Sequence, residues 1–107
     1  MNRNAIIDCD TGLDDAVAFL LTIRSPELNV IGITSVNGNV GLDNVINNTL
    51  RVVEHSSLDI PLYAGTRTAL IPDIAEEDAS AVHGKDGLSS IHFPGSTSSI
   101  EPLHAVD

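Results

Sequence analysis

The sequence predicts an α/β fold: an open, mostly parallel sheet with flanking helices. Three observations predict it. Short β-branched runs alternate with helical apolar stripes, the runs end in glycine-containing turns, and the polar residues of most chemical interest gather at those ends. A chain of 107 residues has the size of one domain or part of one, so every motif must share a single fold.

The first apolar run, Ala5 to Cys9, is rich in Ile and is followed by Thr11-Gly12, which suits a buried strand ending in a tight turn. From Leu13, apolar residues recur at Ala16, Val17, Leu20 and Leu21, with Ala18, Phe19 and Ile23 widening the stripe, so a largely buried helix is expected. Ser25-Pro26 ends it, because the residue before a proline is steered away from helical geometry. Val30 to Val36 is a second β-branched run, closed by Asn37-Gly38 and followed by Asn39.

The second helical stripe runs through Leu42, Val45, Ile46, Thr49, Leu50 and Val53, with Asn, Arg and Glu assigned to the opposite face. Ile60 to Ala64 is a third strand, its proline placed at the start or at an edge. Residues 66–99 dissolve into Gly, Pro, Ser and Asp and are read as a long functional loop or lid. Ile100 to Asp107 looks like a helix beginning, with Pro102 in the first turn, where its missing N–H is harmless.

Strand, helix, strand, helix, strand implies right-handed parallel βαβ units of the Rossmann-like kind, with ligands at the carboxyl ends of the strands. Three parallel strands would leave an exposed edge and a half-covered face. Residues 1–107 are therefore expected to be the N-terminal portion of one larger domain, whether as a gene fragment, an expressed piece or a split subunit.

The formal charge of −10 disfavours nucleic acid and anionic membrane surfaces as partners. Neither a signal-peptide core nor an apolar run of the ~20 residues that a membrane span needs is present, which makes the cytoplasm the expected location. The single Cys9 cannot form an internal disulfide.

The acidic residues are uneven: Asp8, Asp10, Asp14 and Asp15 fall at the first strand–helix junction. A carboxylate in a first helical turn gains ~0.3–1 kcal/mol from the helix dipole, which accounts for Asp14 or Asp15 singly but not for the group. Crowded carboxylates need protons or a cation, and all-oxygen ligands select a hard one such as Ca²⁺ or Mg²⁺. An EF-hand loop counted from Asp8 fails, since Gly12, Leu13 and Phe19 stand where Asp or Asn, Gly and Glu are required. The opening also resembles phosphatases of the haloacid dehalogenase type, with Asp8 as nucleophile and Asp10 as acid/base. Those enzymes expect Thr at the position of Gly12.

The string Asp8-Cys-Asp-Thr-Gly-Leu-Asp-Asp-Ala16 closely resembles the D-x-D-x-G-x-D-D signature of the inosine–uridine-preferring nucleoside hydrolases. Val36-Asn-Gly-Asn-Val40 resembles the family's G-N segment after the second strand, and Val82-His-Gly-Lys-Asp-Gly-Leu88 its H-G-x-x-G loop. The resemblance implies the nucleoside hydrolase fold and hydrolysis of the N-glycosidic bond of purine or pyrimidine ribonucleosides to ribose and free base, with one Ca²⁺. It implies that Asp10 and Asp15 are Ca²⁺ ligands, that Asp10 is also the general base toward the attacking water, and that Asp14 and Asn39 hold ribose hydroxyls. Asp8 is then a supporting residue that orients the site, and His83 closes over the base to assist its departure as an acid or through a proton relay. A carboxylate-rich pocket suits an oxocarbenium-like ribosyl cation.

The family's members are longer and supply further metal ligands and ribose contacts from later segments. The resemblance therefore also implies homo-oligomerisation of the complete protein, or a complementary C-terminal part as partner. The alternatives are a catalytically silent Ca²⁺- or ribose-binding fragment and a split-enzyme subunit. His55, His92 and His104 lack such motifs and read as surface residues, and Cys9 reads as a small buried hydrophobe, since neighbouring carboxylates suppress its thiolate.

Overall fold

The computed structural model describes residues 2–71, 80–89 and 94–107. Its elements are β1 (Arg3–Cys9), α1 (Leu13–Arg24), β2 (Leu28–Ser35), α2 (Leu42–His55), β3 (Leu62–Ala64) and the single turn α3 (Ser80–His83). The sheet runs β1-β2-β3 and both pairings are parallel, as expected of two consecutive βαβ units. In β1 against β2, Arg3 sits opposite Leu28 and Cys9 opposite Ser35, with a register irregularity between Ala5 and Ile6.

Because both crossovers advance in the same direction along the sheet, α1 and α2 lie on one face, packed on β2 and on each other. Ala16 and Phe19 of α1, Ile33 of β2, Val52 and Val53 of α2, Leu62 of β3 and Leu88 form the core. The alternation of β1 follows: Ala5, Ile7 and Cys9 turn toward the helices, whereas Ile6 and Asp8 are exposed on the open face.

Three readings of the sequence are corrected. First, α1 is only partly buried: Val17 and Leu21 are 58% and 70% exposed. A helix on a three-stranded sheet buries one stripe, here Ala16, Phe19, Leu20 and Ile23, and the wider apolar girth faces outward. Second, Asn48 of α2 is 2% exposed and belongs to the buried face.

Third, Ile100 to Asp107 forms no helix. It runs beside β3, where Ala64 and His104 form a parallel bridge. The N–H of Glu101 donates to the Leu62 carbonyl at 2.8 Å and that of Ala105 to the Ala64 carbonyl at 2.9 Å. The outer edge of β3 offers carbonyls that need donors, and satisfying them outweighs a short, proline-bearing helix start. Of the expected lid, 66–99, residues 72–79 and 90–93 lie outside the described residues; the described ones include α3 and a turn whose Leu88 is buried in the core.

Candidate functional site

The site is built at the carboxyl ends of β1 and β2. β1 stops at Cys9, so Asp10 belongs to the turn into α1 and escapes the strict face alternation that places Asp8 outside. Opposite it, β2 stops at Ser35, and residues 36–40 curl back toward Asp10, the Val36 N–H donating to the Cys9 carbonyl at 3.1 Å.

Asp10 and Asn39 bond twice: the Asn39 N–H donates to Asp10 Oδ2 at 2.8 Å, and Asn39 Nδ2 donates to the Asp10 carbonyl at 3.0 Å. Gly38 is required here, because a Cβ on it would overlap the Asp10 carboxylate.

Gly12 caps α1. Asp15, three residues on, reaches back so that its Oδ2 accepts the Gly12 N–H at 3.0 Å, satisfying one of the helix's unpaired donors. Burial pushes the Asp15 carboxyl above its ordinary value, and the charges of Asp14 and Asp10 push the same way. Of the four aspartates, Asp10, Asp14 and Asp15 thus feel one another at the amino end of α1, while Asp8 stands apart on the open face. Asp14 is itself exposed.

His83 arrives from α3. Its Nδ1 accepts the Leu13 N–H at 3.2 Å and lies 3.9 Å from Asp14 Oδ1. An Nδ1 that accepts a backbone N–H carries no proton, so the imidazole proton sits on Nε2 in this arrangement. A Cβ on Gly12 would come within 2.6 Å of His83 Nδ1 and 2.9 Å of Asn39 Nδ2, so the bare glycine backbone lets both side chains close in.

The remaining sequence-selected residues are dispersed. Asp8 lies on the open face and accepts the Thr34 hydroxyl proton at 2.6 Å. His55 and His104 are exposed, and His92 lies outside the described residues. Cys9 is packed against the core, and burial raises its thiol above the ordinary value, with Asp15 and Asp8 adding to the rise.

The sequence reading missed the support beneath the site. Thr11, Thr49 and Ser35 are fully buried, with Thr11 Oγ1 2.6 Å and Ser35 Oγ 3.3 Å from Thr49 Oγ1, and Thr49 Oγ1 donates to the Val45 carbonyl at 2.8 Å. Hydroxyls at apolar-stripe positions, Thr49 above all, were the available signal. Such a satisfied buried network pins the β1–α1 turn to α2.

Among the described residues, no three His, Cys, Asp or Glu side chains gather closely enough to hold a metal ion. No helix of the described residues is long and apolar enough to cross a membrane. The arrangement offers two partly engaged carboxylates, an amide and an imidazole around a helix N-terminus.

An open parallel α/β sheet with acidic residues, an asparagine and a histidine converging on its carboxyl ends matches known proteins throughout its length. The family model described as inosine-uridine preferring nucleoside hydrolase matches residues 5–107, and the chain belongs to that family. It is 41% identical over 93 residues to a probable uridine nucleosidase 2 of Arabidopsis thaliana, covering 86% of this chain and 29% of the relative. It is 36% identical over 104 residues to the pyrimidine-specific ribonucleoside hydrolase RihB of Escherichia coli, covering 97% and 33%.

Among solved structures, a plant nucleoside hydrolase, PpNRh1, superposes with a TM-score of 0.91 at 37% identity, covering 100% of this chain and 34% of that one. A purine-preferring ribonucleoside hydrolase from Gardnerella vaginalis gives 0.86 at 31% identity, covering 97% and 34%. The chain thus spans about a third of the length of these relatives.

Proposed function

We propose that this chain carries the N-terminal part of a ribonucleoside hydrolase site, which cleaves the N-glycosidic bond to yield ribose and free base. The observation that carries the reading is the convergence of Asp10, Asp15, Asn39 and His83, from three separate sequence motifs, around the amino end of α1.

In this reading Asp10 is the general base. Water attacks the anomeric carbon as the carbon–nitrogen bond breaks, the bonding pair leaves with the base, and Asp10 takes the water's proton. Asp14 and Asn39 hold ribose hydroxyls, and the acidic surround stabilises the positive charge developing on the sugar ring. His83 donates a proton to the departing base. The imidazole is held for this by the Leu13 N–H at its Nδ1, with Asp14 Oδ1 3.9 Å away. Asp8, bonded to Thr34, steadies the end of β1.

The donor chemistry fits a hard cation: Asp10 and Asp15 each have one oxygen engaged by a backbone N–H and, among the described residues, one left to offer. Two carboxylates fall short of the ~6–8 oxygens Ca²⁺ takes, so the other ligands come from water and further residues. Bound there, Ca²⁺ would offset the carboxylate repulsion and make water a better acid.

The test is free-base release from uridine and inosine with Ca²⁺ by this chain completed with the remaining length of its relatives, comparing the wild type with Asp10→Asn. The reading expects release by the wild type and a loss of about 10²–10⁴-fold in the variant, the usual worth of a positioned base. A second reading, Ca²⁺ or ribose binding without turnover, is favoured by the chain's spanning only about a third of its relatives' length. Ca²⁺ binding with no base release would establish it.

A further inference from the structure

Asn48 is the odd member of the buried face of α2. It is 2% exposed among Val45, Thr49 and Val52, and its Nδ2 donates to the Asp86 carbonyl at 2.6 Å, across 38 residues of chain. The bond lands on the turn that follows His83. There the Gly87 N–H donates to the Gly84 carbonyl at 3.1 Å and the Ser89 N–H to the His83 carbonyl at 2.5 Å. Gly84 and Gly87 both have positive φ, 78° and 86°, which lets the chain turn this tightly. A Cβ on Gly87 would come within 2.8 Å of Asn48 Nδ2.

Besides the His83–Leu13 contact, Leu88 and Asn48 hold the turn to the body of the fold. Leu88 is buried in the core, but apolar burial is non-directional and leaves the turn free to slide. The Asn48 bond is directional, and it fixes where the turn sits relative to α2. From α2 the buried hydroxyls of Thr49 and Thr11 continue to the β1–α1 junction, where His83 Nδ1 meets the Leu13 N–H.

We propose that Asn48 is a positioning residue: by holding the Asp86 carbonyl it sets the 83–89 turn so that His83 lies on the amino end of α1 beside Asp14. The catalytic meaning of this placement rests on the reading of His83 as the acid toward the leaving base. The placement itself is tested without any turnover.

Diethyl pyrocarbonate acylates accessible imidazoles, and the rate at each histidine can be followed by mass spectrometry of the intact folded chain after digestion. His83 is docked, its side chain 12% exposed, while His55 and His104 lie on the surface. Asn48→Ala should raise the rate at His83 about three- to tenfold, the change in open population that losing one hydrogen bond brings, and leave His55 and His104 unchanged. Gly87→Ala opens the same clamp from the loop side with Asn48 intact and should give the same selective rise. It decides the matter if Asn48→Ala does not fold. An unchanged His83 rate in the folded variants, or a parallel rise at all three histidines, would overturn the assignment. Failure of the completed chain to release base from nucleosides would count against the hydrolase reading and leave the labelling result standing.

Discussion

Asp10 and Asn39, 29 residues apart, grip each other through both backbone and side chain: the Asn39 N–H meets the Asp10 carboxylate, and the Asn39 amide meets the Asp10 carbonyl. This double bond of contacts joins the ends of β1 and β2 and aims a carboxylate and an amide into one space. It depends on the missing side chain of Gly38. Gly38→Ala should cost ~1–3 kcal/mol, as overpacking against a fixed neighbour does, measured by urea denaturation. Gly95→Ala, where a new Cβ meets none of the described residues within 4 Å, should change stability little.

The raised carboxyl of Asp15 has a pH signature. The native state holds this proton more tightly than the unfolded chain, so the group's contribution favours folding at low pH. Stability is then lost as pH rises from the ordinary carboxylate value of 3.8 through the higher native one. Asp15→Asn keeps an oxygen for the Gly12 N–H and removes the charge. It should stabilise the Ca²⁺-free chain at neutral pH and flatten this part of the stability–pH curve, measured by thermal denaturation from pH 3 to 7. An unaltered curve would show that neither burial nor the neighbouring charges raise Asp15.

The buried hydroxyls under the site predict a loss out of proportion to the atoms removed. Thr49→Val keeps the shape of the side chain but leaves Thr11 and Ser35 without their shared partner. The cost should be ~1–3 kcal/mol in denaturant titrations, the usual penalty for stranding buried polar groups.

The sheet's second face predicts association. Ile6, Ile31 and Leu103 are 65%, 48% and 58% exposed on or beside it, around Gly32 and Tyr63. Contiguous apolar surface of this kind drives self-association. Sedimentation velocity should show concentration-dependent oligomers that diminish in the Ile6→Thr, Ile31→Thr double variant. A monodisperse wild type would contradict this.

How far the sequence was legible depends on how local each signal was. The two helices and three strands follow from periodicity, and Asp10, Asp15, Asn39 and His83 follow from short motifs at element ends, where chemistry-bearing residues stand out from packing residues. Asn48 was illegible because an asparagine within a helical stripe reads as solvent-facing unless its long-range partner, the Asp86 carbonyl, is known. Ile100 to Asp107 misled for the same reason: Pro102 suits a helix start and an irregular edge segment equally, and the free edge of β3 decides between them. The breadth of the α1 stripe overstated its burial, since periodicity reports which residues could be covered and not how much sheet is there to cover Val17 and Leu21.

If Asp10 and Asp15 act jointly on a hard cation, as proposed, a calorimetric scan will register it. A ligand that binds only the native state raises stability by RT ln(1 + [L]/Kd). Millimolar Ca²⁺ should therefore raise the melting midpoint of the wild type and leave the Asp10→Ala, Asp15→Ala double variant where it was. Equal stabilisation of the two proteins by Ca²⁺ would contradict the account.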